Sequence, residues 1–174
     1  MKIKLVQLSR TDLKEALHQK YLLPAEDQFV TGVQETYKEY KKTNYFHWIL
    51  FKNNRARHWL CGGIITYGLD VDENKKPCHW IQRLIVIPQY RRKGIAFKAV
   101  AIVLKEFLFS DLEIYTSIIL GNFQSESLFR KIGFQPTNRK FDDDEIIWKY
   151  NKQASLLRSK YRLSSSNKSS VSSL

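Results

Sequence analysis

The order of elements readable in the sequence predicts an α/β fold with a mixed sheet. Three observations carry that expectation. Apolar and β-branched runs, bounded by polar turns, recur along the chain. Segments with helical apolar spacing fall between them, one opening directly after a basic, glycine-containing loop. With 174 residues, 43% hydrophobic and 13% aromatic, the chain has the size and composition of one ordinary globular domain.

Residues 2–8 alternate as a short strand. Ser9-Arg10-Thr11-Asp12 then offers an N-cap, and Glu15 stands three residues past Asp12, so a helix is expected to about Lys20. The segment Leu22 to Asp27 breaks it. A second helix carries Phe29, Val33, Tyr37 and Tyr40 at helical spacings. Tyr45–Phe51 and Trp59–Tyr67 read as a hairpin about the polar turn Lys52–Arg55, and Gly62-Gly63 points to a bulge or a close backbone approach. A polar loop from Asp70 to Pro77 leads to the strand His79–Ile87 and to a helix from about Gly94 to Phe109. Glu113–Ile118 is a further strand. Asn122–Ile132 is helical, with Leu128, Phe129 and Ile132 on its apolar side and Gly133 ending it. After Phe134 the acidic turn Asp142–Glu145 precedes a last strand, Ile146–Tyr150.

Composition changes near residue 150, which divides the chain into a globular unit, 1–150, and a basic, Ser-rich extension, 151–174. Ser155–Arg162 reads as a basic helical extension, and Ser164–Leu174 holds seven serines, as a disordered tail would. The net charge is +12. Six of the 29 basic residues fall from Lys149 onward with no acid among them, so residues 1–148 hold 23 against all 17 acids, a surplus of +6. Half of the excess is therefore terminal, which ranks nucleic acid below a more specific anion as the partner. Cys61 and Cys78 lack metal-type spacing and read as buried thiols, and no metal is expected. No apolar run approaches membrane length, so a soluble, cytoplasmic protein is the expectation.

The most informative stretch runs from Leu84-Ile85-Val86-Ile87 through Arg91-Arg92-Lys93-Gly94-Ile95-Ala96 into the following helix. Backbone N–H groups at a helix start, with the helix dipole behind them, favour an anion. Gly94 and Ala96 are small where a phosphate approaches the backbone, and Arg91, Arg92 and Lys93 add formal charge. The pattern is neither G-x-x-x-x-G-K-[ST] nor G-x-G-x-x-G. Further on stands Asn122-Phe123-Gln124-Ser125-Glu126-Ser127-Leu128-Phe129-Arg130-Lys131-Ile132-Gly133-Phe134.

Together, in this order, the two segments resemble motifs A and B of the GNAT acyl-CoA N-acetyltransferases. Arg91-x-x-Gly94-x-Ala96 looks like the Q/R-x-x-G-x-G/A signature. The resemblance implies a mixed, mostly antiparallel central sheet flanked by helices, with splayed central strands holding the arm of acetyl-CoA. Backbone groups of Leu84, Ile85 and Val86 would pair with the pantetheine, the amides of Arg91 to Ala96 would hold the pyrophosphate, and Asn122 would contact the arm. The implied activity is direct transfer of acetyl from acetyl-CoA to a primary amine. Trp80-Ile81-Gln82-Arg83 is similar to the polyamine-acetylating branch, so the implied acceptor is a small cationic amine. A protein amine, or a non-catalytic CoA-binding module with a basic tail, is the alternative, and a homodimer is compatible with the fold.

Such a transfer needs an oxyanion stabilised by backbone N–H donors, a base for the amine and an acid for the sulfur. In many members a Tyr of the second motif is that acid, but Phe129 stands there and cannot donate a proton. Tyr115, Tyr90 or water is left for that role. Gln82 occupies a place where an acid is common, so the base falls to His79 or His47. Glu26, Asp27 and Glu35, with Gln82, are the candidates for binding the acceptor.

Overall fold

The computed structural model describes residues 1–7, 45–52 and 58–153. The expected helices between Asp12 and Tyr40 lie outside the described residues, as do Glu26, Asp27, Glu35 and the extension from Ser155 onward.

Among the described residues, seven strands form one sheet: β1 (Lys2–Gln7), β2 (Phe46–Lys52), β3 (Leu60–Val71), β4 (Pro77–Val86), β5 (Ile114–Ile119), β6 (Phe134–Asp142) and β7 (Glu145–Tyr150). Their order is β1-β2-β3-β4-β5-β7-β6. Every neighbouring pair is antiparallel except β4 and β5. A parallel pair needs a crossover, and the helix α1 (Ile95–Phe107) supplies it. A second helix, α2 (Phe123–Ile132), joins β5 to β6. The mixed, mostly antiparallel sheet expected from the sequence is thus present.

α1 buries Ile95, Ala99, Val100, Val103, Leu104 and Phe107, a stripe with the period of a helix resting on a sheet. The stripe packs on Ile49, Ile65, Tyr67, Ile81, Ile114 and Ile118, with Phe129 of α2 in the same cluster. The opposite sheet face holds two smaller apolar groups: Phe46, Trp48, Ile64, Ile85 and Ile87, and Cys78, Trp80, Tyr115 and Ile147.

Both readings of Gly62-Gly63 apply. Ile49 pairs with Gly63 and Leu50 with Cys61, which leaves Gly62 as the extra residue of a bulge. A Cβ on Gly63 (φ +153°) would stand 1.9 Å from the Ile85 carbonyl oxygen, so β4 lies too close for any side chain there.

Two expectations need correction. The polar loop from Asp70 to Pro77 is a tight turn, because β3 runs on to Val71 and β4 begins at Pro77. Asp72 makes the turn: its Oδ1 accepts from the N–H groups of Asn74 and Lys76, each at 2.9 Å. The second is β6, which the sequence conceals. Among the described residues it is the outermost strand and pairs on one side only, and its residues are mostly exposed, so it carries no apolar alternation. Its Pro136, which cannot donate to a ladder, is tolerated at such an edge.

Candidate active site

The parallel ladder between β4 and β5 is short. It pairs His79 with Ile114, Trp80 with Tyr115 and Ile81 with Thr116, and then stops. Thr116 is buried, and its Oγ1 donates to the Ile81 carbonyl at 2.8 Å at the point of parting. Beyond it β5 continues to Ile119 along β7, while β4 runs on beside β3. From Gln82 to Val86, about 16 Å at ~3.3 Å per residue, β4 has no strand on its β5 side among the described residues. Leu84, Ile85 and Val86 line this splay. Val86 is partly engaged, because Arg91 Nε donates to its carbonyl at 3.0 Å.

The splay ends at the basic loop. A turn of 3₁₀ helix, Pro88–Tyr90, leads into it, and Gly94 caps α1 in the left-handed region (φ 75°). Arg92 is also left-handed (φ 61°), a conformation that costs a non-glycine residue about 1–2 kcal/mol. Such strain gathers at ligand clamps. Among the described residues no side chain caps α1, and its first turn holds no acid, so the amides of Gly94, Ile95, Ala96 and Phe97 are left for an anion. Among the described residues nothing lies within 4 Å of a Cβ built on Gly94, so the surface there is an open cradle. Arg92 and Lys93 are exposed beside it, and the Lys93 Nζ stands 5.4 Å from the centre of the Tyr90 ring. These residues fit a pyrophosphate.

Asn122 is the N-cap of α2, its Oδ1 accepting from Ser125 N at 3.1 Å. Its amide nitrogen stays available to a ligand arm.

On the sheet face away from α1, β4 carries a second bulge. Thr66 pairs with Arg83 and Tyr67 with Ile81, leaving Gln82 as the extra residue. Ile81 and Leu84 both pack toward α1. Gln82 and Arg83 between them therefore both point to the opposite face, with Trp80 and Ile85. Tyr115, 6% exposed, is on this face too, its ring 5.8 Å from Trp80. The guanidinium of Arg139 lies 4.7 Å over that ring and forms a short ion pair with Glu73. This pair holds Glu73 below the usual carboxylate range and Arg139 above its own. Phe141 meets Trp80 edge-on at 5.6 Å. The β3–β4 turn and the β6–β7 hairpin thus close over Tyr115 from two sides. Thr66, Thr116 and Arg139 were missed by sequence reasoning. Both threonines are buried hydroxyls within strands, Thr66 beside Tyr67 in β3 and Thr116 between Tyr115 and Ser117 in β5, and no local signal in the sequence sets them apart.

The histidines stand elsewhere. His79 begins the part of β4 that pairs with β5 and lies on the α1 side, stacked on Phe107 at 4.0 Å with Nε2 2.7 Å from Ser110 Oγ. Burial, and then the charge of Lys152, lower its pKa. His47 stacks on Tyr67 at 4.5 Å, and its Nδ1 lies 3.2 Å from the Tyr45 carbonyl. Burial lowers its pKa against the opposing effects of that carbonyl and of Glu106. Tyr67, which donates to Glu106 at 3.1 Å, is raised by burial and by that carboxylate. Neither imidazole lies along the splay. Phe129 is buried against Phe134 in the core. Tyr90 packs on Phe51 beside the basic loop. The Cys78 thiol is pushed up to about 11 by burial and by the Asp70 charge, and Cys61 is raised by burial, so neither offers a thiolate nucleophile. No group of three or more metal-ligating side chains occurs among the described residues.

Comparison with known proteins agrees with this geometry. No curated protein matches the chain. Its fold is similar to that of a chain in the crystal structure of the NatC complex bound to Gag peptide and CoA, with a TM-score of 0.62 at 20% identity over 86% of this chain and 96% of that one. It is also similar to Arabidopsis thaliana Naa50 in complex with the bisubstrate analogue CoA-Ac-MVNAL, with a TM-score of 0.61 at 17% identity over 87% and 99%. A domain from Methanocaldococcus jannaschii gives a TM-score of 0.64 at 22% identity over 86% and 98%. The sequence profile of the acetyltransferase (GNAT) family matches residues 11–134, which contain the splay, the basic loop and α2. The chain therefore belongs to the GNAT acetyltransferase family, whose class is the acetyl-CoA-dependent N-acetyltransferase.

Proposed function

We propose that this chain transfers the acetyl group of acetyl-CoA directly to the free α-amine of a polypeptide. The observation that carries the acetyl-CoA half is the end of the β4–β5 ladder at Ile81 and Thr116, with the uncapped, basic start of α1 at the far end of the same gap. Pyrophosphate on the amides of Gly94 to Phe97 and pantetheine along Leu84 to Val86 bring the thioester toward the parting of the strands. Asn122 holds the arm from the α2 side. Backbone N–H groups of β4 at the bulge stabilise the oxyanion as the amine attacks. Burial raises both thiols above their ordinary pKa, so neither is poised to carry an acyl group, and the amine attacks the thioester directly. Tyr115 beside the parting gives its proton to the departing sulfur, and water takes the proton of the amine.

Two features favour a polypeptide over a small polycation. Glu73 is paired with Arg139, and Asp70 accepts from Val71 N and from Gln82, so the described carboxylates near the bulge are already engaged. Residues 1–148 also carry a positive surplus that repels a polyamine. The solved structures with Gag peptide and with CoA-Ac-MVNAL show this fold beside peptide ligands in those proteins. The test is CoA release from acetyl-CoA across peptides with a free α-amine, the same peptides N-blocked but containing Lys, spermidine and an aminoglycoside, with mass spectrometry of the products. Acetylation of the α-amine peptides alone is expected. Turnover confined to spermidine replaces the acceptor with a polyamine. Binding of acetyl-CoA with no turnover of any amine leaves a CoA-binding module.

A further inference from the structure

Buried polar groups in folded proteins almost always have partners. On the sheet face away from α1, two side-chain oxygens have none among the described residues: Gln82 Oε1 and Thr66 Oγ1 are each buried without a hydrogen-bond partner there. They belong to one local structure. Thr66 pairs with Arg83 across the β3–β4 ladder, and Gln82 is the bulged residue next to that pair. Both project away from α1, at the point where β4 leaves β5. Thr66 is wholly buried, whereas Gln82 as a residue keeps part of its surface exposed.

The orientation of the Gln82 amide follows from its other contact. Its Nε2 donates to Asp70 Oδ2 at 3.4 Å, and a carboxylate can face only the NH₂ end of an amide. Oε1 is therefore turned away from Asp70. It is an acceptor only, and it is neutral. An ammonium would be better matched by a carboxylate, whereas a neutral carbonyl oxygen matches a neutral N–H.

We propose that Gln82 Oε1, backed by the Thr66 hydroxyl, accepts a hydrogen bond from the first peptide N–H of the acceptor, the amide that follows the α-amine. This rests on the polypeptide reading above and deepens it. The bulge makes it possible, because without the extra residue one of Gln82 and Arg83 would point toward α1. A free amino acid ester or a simple alkylamine presents an amine without that N–H, and the site discriminates against both. An unpaired buried oxygen is retained at this place because the substrate, not the protein, completes it.

The experiment compares a tetrapeptide bearing a free α-amine with its depsipeptide twin, in which an ester oxygen replaces the first peptide N–H. For the wild type, kcat/KM for the amide should exceed that for the ester by about tenfold or more, as expected when a site's polar group is left unpaired. Gln82→Leu, close in volume, should bring the ratio near one, mainly by raising KM for the amide. Thr66→Val should reduce the ratio in the same direction. Equal turnover of both twins by the wild type overturns the assignment of the oxygens while the acetyltransferase reading stands, and this outcome needs no variant to fold. A ratio unchanged in Gln82→Leu overturns it as well. Turnover of spermidine and of neither twin removes the polypeptide acceptor and this inference with it.

Discussion

Thr116 Oγ1 donates to the Ile81 carbonyl at 2.8 Å, and this side-chain bond stands where β5 would otherwise continue its ladder along β4. A buried carbonyl at the end of a ladder must find a donor. A hydroxyl on the neighbouring strand supplies one while letting the strands part. Thr116→Val keeps the shape and removes the donor. It should cost about 1–3 kcal/mol, seen as a fall of several degrees in the thermal midpoint, and Thr116→Ser should restore most of it. A midpoint unchanged in Thr116→Val would remove this role.

The cradle at Gly94 can be tested by charge alone. Asn and Asp both tolerate the left-handed region and have nearly the same volume. Gly94→Asn should keep most acetyl-CoA affinity. Gly94→Asp, which sets a negative charge against the pyrophosphate, should weaken binding by about tenfold or more. Calorimetric titration of the two variants with CoA measures the difference, and equal affinities would remove the phosphate from this loop.

Gly63 and Gly94 should respond differently to Ala. At Gly94 the new methyl group meets nothing within 4 Å among the described residues, and only the left-handed backbone is penalised, by about 1–2 kcal/mol. At Gly63 the same methyl group meets the Ile85 carbonyl oxygen at 1.9 Å, so β3 and β4 must separate. Gly63→Ala should therefore be the more damaging by a wide margin, by about 4 kcal/mol or more in total, a size reserved for such steric conflicts. Urea unfolding of the two variants makes the comparison.

Tyr115 and His79 should separate in kinetics. Tyr115→Phe keeps the packing against Trp80 and removes the proton donor, so kcat should fall by about a hundredfold with little change in KM for acetyl-CoA. His79→Phe keeps the stack on Phe107 and should leave kcat near the wild-type value. Loss of kcat in His79→Phe and not in Tyr115→Phe would exchange the two roles.

His79 and His47 should instead be visible in the pH dependence of stability. Burial holds both below their ordinary pKa, so between the folded and unfolded values the unfolded chain binds more protons. Stability is then highest above pH ~6.5 and is lost as pH falls through the folded pKa values. Thermal midpoints at pH 7.5 and 5.5 should differ by less in the His47→Phe/His79→Phe double variant than in the wild type.

The sequence singled out the candidate anion loop because the chemistry that suggests it is local. A small residue that permits a left-handed cap, three cations and an apolar helix stripe all fall within a few positions of Gly94. The strands β2 to β5 and β7 were legible for a similar reason, since each has a buried face that imposes an apolar pattern. Strand β6 was not, because an outer strand with one partner bears no such pattern. The extent of the β3–β4 hairpin was also hidden, because the Asp72 side chain makes its turn in a stretch that otherwise reads as polar loop.

By itself, then, the sequence determined the family and the mixed sheet and singled out the candidate phosphate loop, all of which depend on spacing along the chain. The tertiary structure decided where the parallel ladder stops and which face Gln82 presents. It also put Arg139 over Tyr115 and His79 behind Phe107. Those facts depend on register between strands far apart in sequence. A single bulged residue moves a side chain from one face of a sheet to the other, and nothing local to that residue records the shift.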